Sequence, residues 1–355
     1  MLAKFHLVPL LGLMMSLAMV LPAAFAVQTG FREGAEAFLF AGLLGAILTV
    51  MVGLGTMRSP QQPSLRGQLA GVILSLLVLP AVLAVPVGLL VPSISNVQAY
   101  FEMLSALTTT GATVFTDPQS IPPVVHLWRA LVGWFGGALI LMTAIAILEP
   151  LHLGGFEIEA TVTGNRRPQM HRALSSNRRS LLVGQMGVVL PAYASLTGLL
   201  AMCLIFAGDP PFVALCHALS VMSTSGITPL DGLADAPSAY WGEGVIFVFL
   251  IFAVSRRWLV DLPRRLSFDG IWPDPELKLA LICLAVLPLV LFGRHFVSAV
   301  EVEVQEDFIG ALRAYWGGLF TVGAFLTTFG LESRDWEAAQ DWSGLPNSSI
   351  ILLGL

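Results

Sequence analysis

Long apolar runs dominate the chain, and their lengths divide it. Runs of about 20 residues, the length that crosses a bilayer as helix, fall near 7–26, 36–56, 68–91, 124–148, 181–207, 240–262, 277–297 and 345–355. The last is cut by the end of the sequence. Three shorter apolar stretches lie between them, near 98–110, 211–224 and 307–328. These are too short, or too polar at their ends, to span. They predict re-entrant helices, which a membrane tolerates only where protein or a water-filled cavity covers them. The pattern therefore predicts an all-α polytopic membrane protein.

After the first two runs one unit recurs: a span, a short helix, a Thr/Ser-Gly turn, another span. The turns are Thr108-Thr109-Thr110-Gly111, Ser223-Thr224-Ser225-Gly226 and Thr327-Thr328-Phe329-Gly330. Their glycines are 115 and then 104 residues apart. The preceding short helices are expected from Ala99 to Leu107, Pro211 to Met222 and Asp307 to Leu326. The third copy departs most. Phe329 stands where a small residue is expected, and Trp316-Gly317-Gly318 is expected to interrupt its helix. The repeat divides the chain into a leading pair of spans (1–60), a first unit (61–150), a second with a basic loop (151–265) and a third (266–355).

Composition sharpens the class. Of 355 residues, 56% are hydrophobic and 12% charged, with mean hydropathy +0.81, against about 25% charged in soluble domains. That excludes an ordinary cytosolic enzyme and a disordered chain, and the net charge of −5 argues against nucleic acid. Cys203, Cys216 and Cys283 lie in apolar runs and read as packing residues. With the N-terminus in the cytoplasm and the three short stretches entering and leaving on the outer side, 13 of the 18 basic residues fall inside, a positive-inside bias. On the same topology 16 of the 23 acidic residues fall outside, which would concentrate cations near an entrance. Lys4, the first apolar run and Ala24-Phe25-Ala26 also fit a signal peptide; the length of the run favours a retained helix.

The repeated unit suits a cation. A short helix entering from outside aims its unpaired carbonyls and the negative end of its macrodipole at the midplane. Glycine in the following turn adopts positive φ without steric cost, so successive carbonyls can face one axis. Rings of backbone carbonyls replace the hydration shell of K⁺ in known filters. No carboxylate lies in the three turns, and no bound cofactor is called for; K⁺ would be cargo.

At these turns the chain resembles the Trk/Ktr/HKT superfamily of potassium transporters, above all its bacterial TrkH branch. The likeness is carried by Ser105-Ala106-Leu107-Thr108-Thr109-Thr110-Gly111-Ala112-Thr113-Val114, Leu127-Trp128-Arg129, Gly133-Trp134-Phe135-Gly136-Gly137 and Ala144-Ile145-Ala146-Ile147-Leu148. The resemblance implies span–pore helix–span repeats around one cation pore, after two extra N-terminal spans. It implies filter carbonyls from Thr109 to Gly111, Ser223 to Gly226 and Thr327 to Gly330, and Gly111 leans toward K⁺ over Na⁺. It also implies a homodimer in the bacterial inner membrane, regulated by a cytoplasmic nucleotide-binding subunit of the TrkA/KtrA type. The superfamily has four repeats. A fourth glycine at the observed spacing would fall beyond Leu355, so the chain reads as lacking the C-terminal repeat.

Other residues have plainer readings beside functional ones. Arg129 can pair with an outer carboxylate such as Asp117 or snorkel to the interface. Glu102 on the first short helix either serves the site or faces water. Arg313 reads as facing outer water or a partner acid. Cys216-His217 lacks further ligands for a metal. The basic loop from His152 to Ser180 and the segment from Arg256 to Pro275 can meet lipid headgroups or dock the regulatory subunit. The outer Glu301, Glu303, Glu306 and Asp307 can attract cations or merely be solvated. Two other functions stay open: a Na⁺-permeable or Na⁺-coupled relative on the same fold, and a polytopic membrane enzyme. The enzyme would need a nucleophile and base at membrane depth. Ser223 or Ser225 with His217 is the only loose candidate, and no span carboxylate completes it.

Overall fold

The computed structural model describes residues 7–56, 65–144, 178–254, 275–298 and 308–343, and those residues form helices and the turns between them. Among the described residues six segments are long and apolar enough to cross a membrane: Val8–Gln28, Arg32–Thr56, Leu69–Leu90, Pro123–Thr143, Val189–Ala207 and Ile309–Leu326. The chain divides into two compact units. The first comprises residues 1–108, 112–114 and 122–194; the second comprises 109–111, 115–121 and 195–355.

In the first unit the leading apolar run is two helices, α1 (Leu7–Ala18) and α2 (Val20–Gln28), both packed on α3 (Arg32–Thr56). Small residues make that packing close. A Cβ at Gly42 would lie 3.0 Å from the Ser16 carbonyl, and one at Gly45 would lie 2.5 Å from the Ser16 hydroxyl. Helices in lipid associate through such small-residue faces, because apolar contact alone gains nothing over lipid tails. The third run is split into α4 (Leu65–Leu83) and α5 (Val85–Leu90). Pro80 and Pro86 flank the break, where a ring and a missing N–H disfavour continued helix.

The first short helix, α6 (Asn96–Leu107), starts three residues before the sequence suggests. Ser95 and Gln98 form a reciprocal capping box: Gln98 N donates to Ser95 Oγ (3.3 Å) and Ser95 N donates to Gln98 Oε1 (2.8 Å). Two orphan amides are satisfied this way, which fixes where the helix begins. It packs on α4 and on α7 (Pro123–Thr143), the most enclosed of the six apolar segments. Trp128 of α7 is wholly buried, donates to the Leu83 carbonyl at 3.0 Å, and meets Phe38 edge-on at 5.7 Å. Truncating such a side chain costs about 3–5 kcal/mol. The helix α8 (Arg178–Ala207) leaves this unit at residue 194.

The second unit carries the end of α8, α9 (Pro211–Ser223), α10 (Ala239–Val254), α11 (Pro275–Ser298), α12 (Phe308–Leu326) and α13 (Trp336–Ser343). Its core joins Leu200 and Leu204 to Ala214, Ala218 and Val221 of α9, Ile246 and Leu250 of α10, and Phe320, Ala324 and Phe329.

Two expectations for the third copy are corrected here. The helix α12 runs unbroken through Trp316-Gly317-Gly318, and by length and composition its Ile309–Leu326 segment could span. Gly317 serves contact: a Cβ there would lie 2.3 Å from the Asp335 carbonyl oxygen. The glycine thus lets the returning chain lie against the helix. The final span at 345–355, the basic loop at 152–177, the segment 256–274 and the acidic stretch 301–307 lie outside the described residues.

Candidate functional site

Each of the three turns is built the same way from its helix outward. The last hydroxyl of the helix turns back onto it. Thr108 donates to the Leu104 carbonyl at 2.8 Å, Ser223 to Leu219 at 2.9 Å and Thr327 to Gly323 at 2.9 Å. The next residue, Thr109, Thr224 or Thr328, is left-handed, with φ of 55°, 51° and 60°. Among the described residues the only other non-glycine at positive φ is Ala239. A β-branched residue there is a genuine outlier, and the left-handed conformation costs roughly 1–2 kcal/mol for an L-residue. Two residues on, Gly111, Gly226 and Gly330 again take positive φ, 75°, 64° and 78°.

The three turns, Thr109–Gly111, Ser223–Gly226 and Thr327–Gly330, belong to the second unit, and successive copies touch. A Cβ at Gly111 would lie 2.4 Å from the Ser225 carbonyl oxygen. A Cβ at Gly226 would lie 2.6 Å from that of Phe329. The glycine of each copy thus abuts the carbonyl that precedes the glycine of the next. The left-handed threonines of the second and third copies also meet, with Thr224 and Thr328 hydroxyls 3.4 Å apart. At Gly330 no described atom lies within 4 Å of such a Cβ.

Side chains at the position before the glycine show why Phe329 is accommodated. Ser225 is buried, and its hydroxyl lies 3.0 Å from that of Ser223. Phe329 is 1% exposed and sits in the core with Phe320 and Ala324. Its side chain fills the core while its carbonyl faces Gly226, so the bulk of the side chain and the position of the carbonyl are independent. Thr110 is exposed.

Buried polar groups hold these turns. Glu102 of α6 is 1% exposed and ion-paired with Arg129 of α7. It accepts from the Thr113 hydroxyl at 3.0 Å and the Val114 amide at 3.0 Å, and Arg129 donates to the same Thr113 hydroxyl at 3.0 Å. Arg129 therefore pairs with Glu102, and Glu102 is buried and does not face water. In the second copy His217 Nε2 lies 3.0 Å from the Thr228 hydroxyl, and its Nδ1 faces Asp209 Oδ2 at 3.8 Å. Asp209 caps the Ser238 amide at 2.9 Å. Burial opposes its charge, but the His217 ring and the Ser238 contacts hold its carboxyl below the usual range.

In the third copy the Thr321 hydroxyl accepts from the Ser333 amide at 3.2 Å. Glu243 of α10, 2% exposed, accepts from Trp316 Nε1 (2.7 Å), Ser333 Oγ (3.0 Å) and the Arg334 amide (2.6 Å). The sequence reading found no span carboxylate with a role, although an acid inside the 240–262 run was a usable signal. Glu243 holds the third copy's exit, and it does not join Ser223, Ser225 and His217 into a catalytic set. Cys216 is buried and Arg313 exposed. Among the described residues no three His, Cys, Asp or Glu cluster as metal ligands.

Fold and turns together define an integral membrane protein of repeated span–short helix–turn units. No protein-family model matches the chain. It is 30% identical over 226 residues to the Trk system potassium uptake protein TrkH of Salmonella typhimurium, a match covering 61% of this chain and 45% of that one. It is 26% identical over 267 residues to the Trk system potassium uptake protein TrkI of Halomonas elongata, covering 69% and 51%. The crystal structure of the potassium transporter TrkH from Vibrio parahaemolyticus superposes with a TM-score of 0.73 at 25% identity, covering 94% of this chain and 67% of that one. The chain spans about half the length of the curated relatives it matches. In sequence and in fold it is TrkH-like, similar to the potassium uptake proteins of the Trk system.

Proposed function

We propose that this chain supplies three walls of a potassium filter and takes part in potassium uptake across the bacterial cytoplasmic membrane. One observation carries the reading. Thr109–Gly111, Thr224–Gly226 and Thr328–Gly330 share positive φ at their first and third residues, and each of the first two glycines lies against a carbonyl of the next copy. Repeated glycines at positive φ let carbonyl oxygens replace an ion's hydration shell. Three helices end at these turns, and the negative ends of their dipoles add to the attraction for a cation. The named relatives are potassium uptake proteins, which supports K⁺ over Na⁺ as cargo. The finer parts of the reading are a cytoplasmic N-terminus, a homodimer, and a TrkA/KtrA-type regulator on the basic cytoplasmic loops.

The test is cation flux in proteoliposomes, using the protein expressed from its own gene and its Gly111→Ser variant. The hydroxymethyl group meets the Ser225 carbonyl, so the variant should admit more Na⁺ relative to K⁺. An unchanged ratio refutes the filter assignment. A wild-type protein that passes Na⁺ as readily as K⁺ favours the Na⁺-permeable relative.

A further inference from the structure

One register recurs behind all three turns. Glu102, His217 and Thr321 each stand nine residues before their glycine, Gly111, Gly226 and Gly330. They are 1%, 0% and 0% exposed. Each reaches the chain two or three residues past that glycine. Glu102 binds the Thr113 hydroxyl and Val114 amide, His217 the Thr228 hydroxyl and Thr321 the Ser333 amide.

Geometry explains the spacing. From this position to the end of its helix the chain rises about 1.5 Å per residue for five or six residues, roughly 8–9 Å. The extended segment leaving the turn covers a similar distance in three or four residues at about 3.3 Å each. The two therefore meet side by side. The departing segment has no strand partner among the described residues, and buried backbone donors need a partner.

We propose that Glu102, His217 and Thr321 are positioning residues that set the carbonyl geometry of their own filter copy from behind, and so set cation selectivity. This rests on the filter reading above. The chemistry differs from copy to copy. The first is an ion-paired carboxylate, neutralised by Arg129. The second is an imidazole backed by Asp209. The third is a neutral hydroxyl, reinforced by Glu243 on the adjacent Ser333 hydroxyl and Arg334 amide. The copies are therefore held with unequal stiffness, and each can be loosened alone without touching a filter residue.

The test uses isosteric pairs. Thr321→Val and His217→Leu remove the bond and keep the bulk; Thr321→Ser and His217→Gln keep a polar atom there. K⁺ and Na⁺ affinities are measured by calorimetry on the purified protein, beside its thermal unfolding midpoint. Val and Leu should each lower the K⁺/Na⁺ affinity ratio by about fivefold, the worth of one hydrogen bond, and Ser and Gln should restore it. A merely structural role predicts a lower unfolding midpoint with the ratio intact, and that result overturns the proposal. Gly226→Ala is the control. If it shifts the ratio and the Val and Leu variants do not, the positioning role is wrong and the filter stands. If neither shifts it, or if wild type shows no preference, the filter reading fails and this inference with it.

Discussion

The α-carbon of Gly111 lies so close to the carbonyl of Ser225 that a Cβ on it would sit 2.4 Å from the oxygen. Gly226 repeats the relationship with Phe329 at 2.6 Å, whereas Gly330 has positive φ but no described neighbour within 4 Å. The three glycines thus differ in one measurable respect. Alanine at Gly111 or Gly226 meets both backbone strain and a clash; at Gly330 it meets strain alone. Gly111→Ala and Gly226→Ala should abolish selective K⁺ flux, and Gly330→Ala should reduce it less. Equal losses at all three would show that φ alone matters.

The left-handed threonines carry strain without an obvious local reward, which points to function. Thr224→Gly should raise stability by about 1 kcal/mol by relieving it. It should also weaken K⁺ over Na⁺ discrimination, because the turn gains freedom. Thermal unfolding and paired flux measurements check both parts. A gain in stability with unchanged discrimination would make the conformation incidental.

Gly136 of α7 faces the end of the first short helix, where a Cβ would lie 2.0 Å from the Leu107 carbonyl oxygen. Gly136→Ala should destabilise the protein by about 1–3 kcal/mol, the usual cost of overpacking. It should also disturb the turn at Thr108 to Gly111. The neighbouring Gly133-Trp134-Phe135-Gly136-Gly137 run was legible as a family signature, but its reason was not. A sequence gives spacing along one helix, not which backbone approaches it. For the same reason the acid that pairs with Arg129 was not legible: Glu102 is 27 residues away along the chain and adjacent only once α6 lies on α7. The turns themselves were readable, because Thr/Ser-Gly after a short apolar helix is a local pattern. Phe329 looked like a defect only because the side chain and the carbonyl were judged together.

Glu243 ties α10 to Trp316 of α12 through one bond and to the exit of the third turn through two. Glu243→Ala leaves the Trp316, Ser333 and Arg334 donors without this acceptor, and should cost about 3–5 kcal/mol, comparable to breaking a buried polar network. Glu243→Gln retains an acceptor and should cost clearly less. Denaturation of the two variants side by side would distinguish them, and equal losses would place the effect in charge alone.

Asp209 supplies a pH dependence with a definite sign. Its carboxyl is held below the usual range in the fold, so the folded state favours the ionised form. The stabilisation is complete above the unfolded value of about 4 and disappears as pH falls through the lower folded value. Asp209→Asn, which cannot ionise, should be less stable at neutral pH and flatter across the acid range. Unfolding midpoints at stepped pH for both proteins measure this; parallel curves would remove Asp209 from the acid response.

The central claim is that a cation is held by the backbone of three like turns, and its most direct test is a crystal structure of the protein grown in rubidium, read by anomalous scattering. The account predicts Rb⁺ peaks in the space bounded by Thr109–Gly111, Thr224–Gly226 and Thr328–Gly330, within coordination distance of their carbonyl oxygens and displaced by excess K⁺ but not by Na⁺. Rubidium absent from that space, or Na⁺ displacing it as well as K⁺, would contradict a potassium filter there.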